Sequence, residues 1–279
     1  MGKACRDAAD PLEPEHKKQF QSLAAPALYV AGDRFEIQNA VIHLMRGMSN
    51  PLQLHWLQLC RLASYLHSHP EYEIVFRYQA MPSTIYAEVD ADWAGCLETR
   101  RSTDGGFDFF GDCLLDGWAG TQQTLSLSSG EAELYGICNG SARLLWTKNL
   151  LAECGFTVVA TVGTDSTAAK GICSRLGTGK IRHLETRCLW VQERVRSKEI
   201  NIAKVPTETN RGDMQTKPLD PTRFWMLMGL LPMRRVTTGC SSVSVAMLSA
   251  CVLVASVGTV EAQGLVAARG FATREADSW

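Results

Sequence analysis

The chain has 279 residues, 46% of them hydrophobic and 20% charged, which is ordinary for one large or two small globular domains. Its formal net charge of −1 argues against a wholly basic nucleic-acid coat and leaves room for a local basic groove. Ten cysteines are scattered singly with no CxxC pair, which argues against a zinc ribbon or a thioredoxin-type motif and reads as a reducing, intracellular compartment, cytoplasmic or nuclear.

Residues 1–16 are polar, carry two prolines and read as a disordered N-terminus. They show no secretory signal, and MGKACR lacks the Ser or Thr at position 6 that favours myristoylation. Residues 17–72 read as helical. Phe35, Ile37, Ala40, Val41, Leu44, Met45 and Met48 keep a helical period, and Asn50-Pro51 supplies a cap and first-turn signal. A second helix, rich in Trp56, Leu57, Leu59, Leu62 and Leu66, runs to about His67. This block reads as a helical packing partner for the strand-rich region C-terminal to it rather than a substrate-facing module.

From residue 73 the period changes. EIVFRY, STIYAEVD, GGFDFFGDCLL and GWAGTQQTLSL predict a small antiparallel meander. A long helix is expected over 129–154, opened by a capping box of Ser128 and Glu131 and closed by Gly155. TVVATVGT predicts a strand, 165–175 a short helix, 183–197 a helix, EINIAKV a strand and 210–230 a last amphipathic helix. Strands first, then alternating helices and strands, make an α/β fold with a mixed sheet flanked by helices over 73–232. The intervening LGTGK is not a Walker loop, because Ser174 and Ile181 stand where that motif needs Gly and Ser or Thr. In the tail, 233–279, residues 241–260 carry no charge and could span a bilayer. Their Ser and Gly content favours a tail outside the fold over membrane tethering.

Four acids stand at element ends. Asp90 closes an apolar strand, Glu133 lies in the first turns of the long helix, Asp165 closes TVVATVGT, and Asp213 opens the last helix. Each alone has a bland explanation, since acids are favourable near helix N-termini. Together, on elements able to converge, they suit hard divalent cations, because clustered carboxylates repel unless a cation lies among them. Glu131 is already used by the capping box, so Glu133 is the freer ligand. Gly136 and Gly140 permit close approach of the helix to the sheet. Among the acids of YAEVDADWAG, Asp90 is the metal candidate, Asp92 suits the following turn, and Glu88 is left open between a neighbour of the site and an edge charge.

DADWAG, RRSTDGGFDFFG, LSLSSGEAELYGI, GTDSTAAKGI, KIRHLETRCLWVQERV, VPTETNRGDMQTKPL and RFWMLMGLL, in this order, resemble the type I ribonuclease H domain of copia-type LTR-retrotransposon Pol polyproteins. The preceding residues resemble the tail of a reverse transcriptase, and the match runs over roughly 20–231. The resemblance implies a ribonuclease H-like fold with a five-stranded mixed sheet. It implies catalytic, metal-binding acids at Asp90, Glu133, Asp165 and Asp213. It also implies hydrolysis of the RNA strand of an RNA/DNA hybrid with two Mg²⁺ ions, for which Mn²⁺ can substitute. Partners would be the hybrid and the reverse transcriptase or other Pol products. Residues 17–72 would then be a remnant of the reverse transcriptase.

Between Lys170 and Lys198 eight Lys/Arg stand against two acids, which suits a hybrid-binding surface. Lys180, Arg182, His183 and Arg187 are its candidates, with Ser102 and Thr103 as candidates for contact with 2′-hydroxyls. His183 matches a histidine of the family and reads equally well as structural. Trp118 matches a family tryptophan, although Thr121 and Gln122 replace the lysines expected after it. No Y-x-D-D polymerase motif, integrase motif or zinc knuckle occurs. The competing reading is therefore a catalytically silent remnant of a Pol polyprotein, acting at most as a nucleic-acid-binding module.

Overall fold

The structure is a computed structural model that describes residues 10–177, 179 and 186–236. The described residues fall into two compact units. One comprises the chain up to Glu73 with Asp220–Arg223 and the segment from Met233, and the other Ile74–Leu219 with Phe224–Pro232.

The first unit is helical. Helix α1 (Pro14–Val30) starts with Pro14 in its first turn, where a missing N–H costs nothing, and buries Phe20, Ala24 and Ala27 on one stripe. Residues 10–16, read from sequence as disordered, carry structure: Leu12 is buried, its N–H bonds Pro51 O at 3.0 Å, and the helix begins at Pro14. Helix α2 (Gln38–Arg46) buries Val41 and Leu44, and α3 (Gln53–Ser68) buries Leu59 and Leu62. The cap of α3 comes from His55, whose Nδ1 accepts the Leu52 N–H at 2.9 Å, rather than from Asn50-Pro51. Phe20, Ala24, Ile37, Val41, Leu44 and Leu62 share one core. Of EIVFRY, only the first residues enter a strand, β1 (Tyr72–Ile74), which pairs with Met233–Arg235. Phe76 and Tyr78 are exposed, so their apolar character does not buy burial.

The second unit is built on strands β2 (Thr84–Asp92), β3 (Thr103–Phe110) and β4 (Cys113–Thr121), an antiparallel meander as the alternation predicts. GGFDFFGDCLL is a hairpin rather than one strand. Gly111 takes a φ of 58°, a left-handed value that glycine adopts freely, and turns β3 into β4. Helix α4 (Ser129–Glu153) follows, then β5 (Val159–Thr164), α5 (Thr167–Cys173), α6 (Thr186–Arg196) and β6 (Ile200–Lys204). The sheet order is β4-β3-β2-β5-β6, with β5 parallel to both β2 and β6. This five-stranded mixed sheet, with an antiparallel half joined to a parallel half, is the ribonuclease H-like fold.

Central placement of β2 explains its composition. Ile85, Ala87 and Val89 are fully buried and pack with Leu134, Ile137 and Leu144 of α4, each large apolar side chain contributing roughly 1.5–3 kcal/mol. The helix start follows the predicted chemistry: Ser128 Oγ accepts the Glu131 N–H at 3.3 Å, while Glu131 Oε2 accepts the Leu127 N–H at 2.8 Å. Its end is closed by Gly155 at φ 86°. The last predicted helix is broken. Helix α7 (Asp213–Thr216) stops before Pro218, and α8 (Pro221–Met228) restarts at the next proline, because proline and the residue before it resist helix continuation. Five of the seven described cysteines are buried, as small core residues would be.

Candidate metal centre

Asp90 lies near the C-terminal end of β2, completely buried. Two neighbours are brought to it by the absence of side chains. A Cβ on Gly136 would lie 3.3 Å from Asp90 O, and one on Gly140 would lie 2.6 Å from Val89 Cγ1. Helix α4 therefore crosses β2 at contact distance, and Glu133, one turn before Gly136, reaches the Asp90 carboxylate. Asp165 follows the last residue of β5, the parallel neighbour of β2. One carboxylate oxygen from each of Asp90, Glu133 and Asp165 lies within 4.8 Å of the others.

The fourth acid arrives by a different route. Asn210 is buried and donates from Nδ2 to Val89 O at 3.2 Å. A Cβ on Gly212 would come within 2.9 Å of Asp90 N, so only glycine lets this loop lie on the strand. Between them, Arg211 grips Glu88: Nε to Oε2 and Nη2 to Oε1 are both 2.7 Å, and the Arg211 N–H adds a 3.0 Å bond. The guanidinium also stacks 3.8 Å from the centre of the Phe109 ring. Glu88 is therefore neither an edge charge nor a ligand. It anchors the loop that delivers Asp213. Asp213 lies outside the three-acid cluster, and Lys217 links the two: its Nζ lies 3.1 Å from Asp90 Oδ1 and 2.7 Å from Asp213 Oδ1. Thr216 donates to the other Asp90 oxygen.

The electrostatics follow from this crowding. Burial, and then the charges of Asp90 and Asp165, push Glu133 up to about 9. Burial also raises Asp90, against the opposing pull of Lys217. Burial disfavours the Lys217 ammonium, but the Asp90 and Asp213 carboxylates more than offset this and hold its pKa above the usual lysine value. Glu133 Oε2 is buried with no hydrogen-bond partner. Three convergent carboxylates, one with an orphaned oxygen, are a donor set that fits a hard divalent cation.

No protein-family model matches the chain. It is 26% identical over 228 residues to the retrovirus-related Pol polyprotein from transposon RE2 of Arabidopsis thaliana, a match covering 81% of this chain and 16% of that polyprotein. It is 35% identical over 115 residues to the secreted RxLR effector protein 161 of Plasmopara viticola, covering 40% of this chain and 79% of that protein. Its relatives include retrovirus-related Pol polyproteins from transposons of Arabidopsis thaliana and Nicotiana tabacum, at 24–26% identity. It spans about a sixth of the length of the curated polyproteins it matches. Among solved structures, LC11-RNase H1, isolated from compost by a metagenomic approach, aligns with a TM-score of 0.36 and 14% identity, covering 48% of this chain and 93% of that one.

The substrate residues expected from the sequence fare unevenly. Ser102 and Thr103 are buried, at 0% and 1% exposure. Ser102 Oγ accepts the Ala94 N–H at 3.1 Å and so secures the turn in which Ala94 takes a φ of 55°. In this structure neither residue offers its side chain to a hybrid, a correction that follows from their place at the start of β3. Asp92 serves the same turn, where its carboxylate fills the space beside Gly95. Lys180, Arg182, His183 and the side chain of Arg187 lie outside the described residues, as does the apolar run 241–260. Among the described residues no helix is long and apolar enough to cross a membrane. Trp118 is buried against Gly106 and Gly140, with Arg143 4.9 Å over its ring, and acts as a packing residue. Sequence reading assigned no role to Asn210, Arg211, Thr216 and Lys217. The available signal was their crowding around Asp213 in NRGDMQTK, just ahead of Pro218.

Proposed function

We propose that this chain is the ribonuclease H segment of a copia-type Pol product and cuts the RNA strand of RNA/DNA hybrids with divalent metal. The observation that carries the reading is the convergence of Asp90, Glu133 and Asp165 around a space bordered by the orphaned Glu133 Oε2. Those three residues would hold one ion, and Asp90 with Asp213 a second. Bound there, Mg²⁺ or Mn²⁺ would lower the pKa of water and neutralise charge on the attacking and leaving oxygens of a phosphodiester.

The chain's own residues supply the rest. Asp90 is fixed by the sheet and by Thr216. Asp165 is carried by the parallel strand, and Glu133 is brought in by the glycines of α4. Burial excludes bulk water from Asp90 and strengthens electrostatic interactions around it. Phosphate binding falls to the basic stretch 170–198, including Lys180, Arg182, His183 and Arg187, steered by charge. Residues 73–232 are the catalytic part in this reading, and 17–72 the reverse-transcriptase remnant.

The test is cleavage of an end-labelled RNA/DNA hybrid by the purified chain in millimolar Mg²⁺. The expected products are internal RNA cuts with 3′-hydroxyl and 5′-phosphate ends. Asp90→Asn and Asp165→Asn should each lose on the order of a hundredfold or more, since each removes a ligand of the proposed site. Folded protein that binds hybrid but leaves it intact in both Mg²⁺ and Mn²⁺ would establish the silent-remnant reading instead.

A further inference from the structure

We propose that the Lys217 ammonium occupies the second cation position of the acidic centre in the metal-free protein, so that a divalent ion reaches the Asp90–Asp213 pair only by displacing it. The inference rests on the metal-centre reading and goes beyond it by giving the two positions different occupants.

The acids divide geometrically into two groups. Asp90, Glu133 and Asp165 converge on one space. Asp213 stands apart from it, and the place between Asp213 and Asp90 holds Lys217 Nζ, 2.7 and 3.1 Å from the two carboxylates. A +1 charge in hydrogen-bond contact with both acids satisfies the oxygens that a divalent ion would need. Each Asp90 oxygen already accepts one hydrogen bond, Oδ2 from Thr216 and Oδ1 from Lys217, the latter on the side that faces Asp213. Asp213 and Lys217 are four residues apart across the single turn of α7, which sets them side by side.

Displacement is sterically open. The Lys217 side chain is 37% exposed, whereas those of Asp90 and Asp213 are 0% and 7% exposed. The acids are fixed by the fold, and the lysine sits on a flexible four-carbon stem with a path to solvent. An ion entering between Asp90 and Asp213 must overcome both the lysine's contacts and its charge. An ion entering among Asp90, Glu133 and Asp165 meets an orphaned acceptor. Loading should therefore be sequential, with the three-acid position first. The device keeps the Asp90 and Asp213 carboxylates paired with a cation before metal arrives.

The experiment is a Mn²⁺ titration of the full chain without nucleic acid, by calorimetry and by loss of the free-ion paramagnetic signal. It is paired with thermal melting in excess chelator. The parent should bind one ion, lost in Asp165→Asn. Lys217→Gln should bind a second ion or bind overall about tenfold more tightly, the order expected for removing one close cation at a partly screened site. It should also melt lower than the parent in chelator. Lys217→Arg, which keeps the charge, should behave as the parent. Two ions bound by the parent, or a Lys217→Gln protein with unchanged stoichiometry, affinity and metal-free melting, would overturn the proposal. A parent that binds no Mn²⁺ would instead overturn the metal-centre reading, and the melting comparison in chelator would still report whether Lys217 holds the acids.

Discussion

Replacing Arg211 with Met tests whether the Glu88 clamp holds the loop that delivers Asp213. The guanidinium makes two 2.7 Å charge-assisted bonds to a carboxylate whose side chain is only 8% exposed. Removing one partner of a buried pair costs roughly 3–5 kcal/mol, because the other charge stays buried without its counterion. The lower end applies here, since the Arg211 N–H still donates to Glu88 at 3.0 Å. For a unit of this size, about 3 kcal/mol corresponds to a melting temperature lower by roughly 6–12 °C. The reverse change, Glu88→Gln, should cost less, because Arg211 is 18% exposed and can turn its charge to water. Urea unfolding of the two single variants and the double variant measures the coupling directly. The double variant should recover part of the loss of Arg211→Met. A loss below about 1 kcal/mol for Arg211→Met, or purely additive single effects, would refute the clamp.

Packing and burial set further expectations. Asp108 is buried on β3, where burial and then the nearby Asp116 carboxylate lift its pKa from 3.8 to about 7. A folded value above the unfolded one means that the native state holds the proton more tightly, so stability falls as pH rises from about 4 to 7. Asp108→Asn should therefore be near neutral at pH 4 and stabilising by on the order of 2–4 kcal/mol at pH 8, read by denaturant unfolding at both values. An equal effect at the two pH values would count against it. Gly140→Ala should destabilise by roughly 1–3 kcal/mol, since its Cβ would meet Val89 Cγ1 at 2.6 Å inside a packed core. Gly136→Ala, whose nearest neighbour would be Asp90 O at 3.3 Å, should cost less, and melting temperatures that reversed this order would contradict the close-approach argument.

Much of this arrangement was legible in the sequence where local chemistry and global fold agree. The Ser128 cap, the Gly155 terminus and the alternation of β2 are each set by short-range rules, and the structure repeats them. Glu133 could be separated from Glu131 because the cap already used the nearer acid. Long-range consequences were less visible. Nothing in YAEVDADWAG says that Glu88 will meet an arginine 123 residues later, and that contact decides its role. The break of the last helix was written in Pro218 and Pro221, yet amphipathic spacing on either side masked it. Ser102 and Thr103 looked like polar turn residues open to a ligand. Their burial follows from a neighbouring strand and a turn that the local sequence does not reveal.

Diffraction from crystals of the chain grown with Mn²⁺, recorded at the manganese edge, shows whether the three convergent carboxylates hold a divalent ion. An anomalous peak bounded by oxygens of Asp90, Glu133 and Asp165 is expected at roughly 2.0–2.3 Å, the range of hard cations on oxygen ligands. Saturating Mn²⁺ that leaves those three carboxylates without a peak, or that binds elsewhere while they stay apart, would contradict the metal-centre reading.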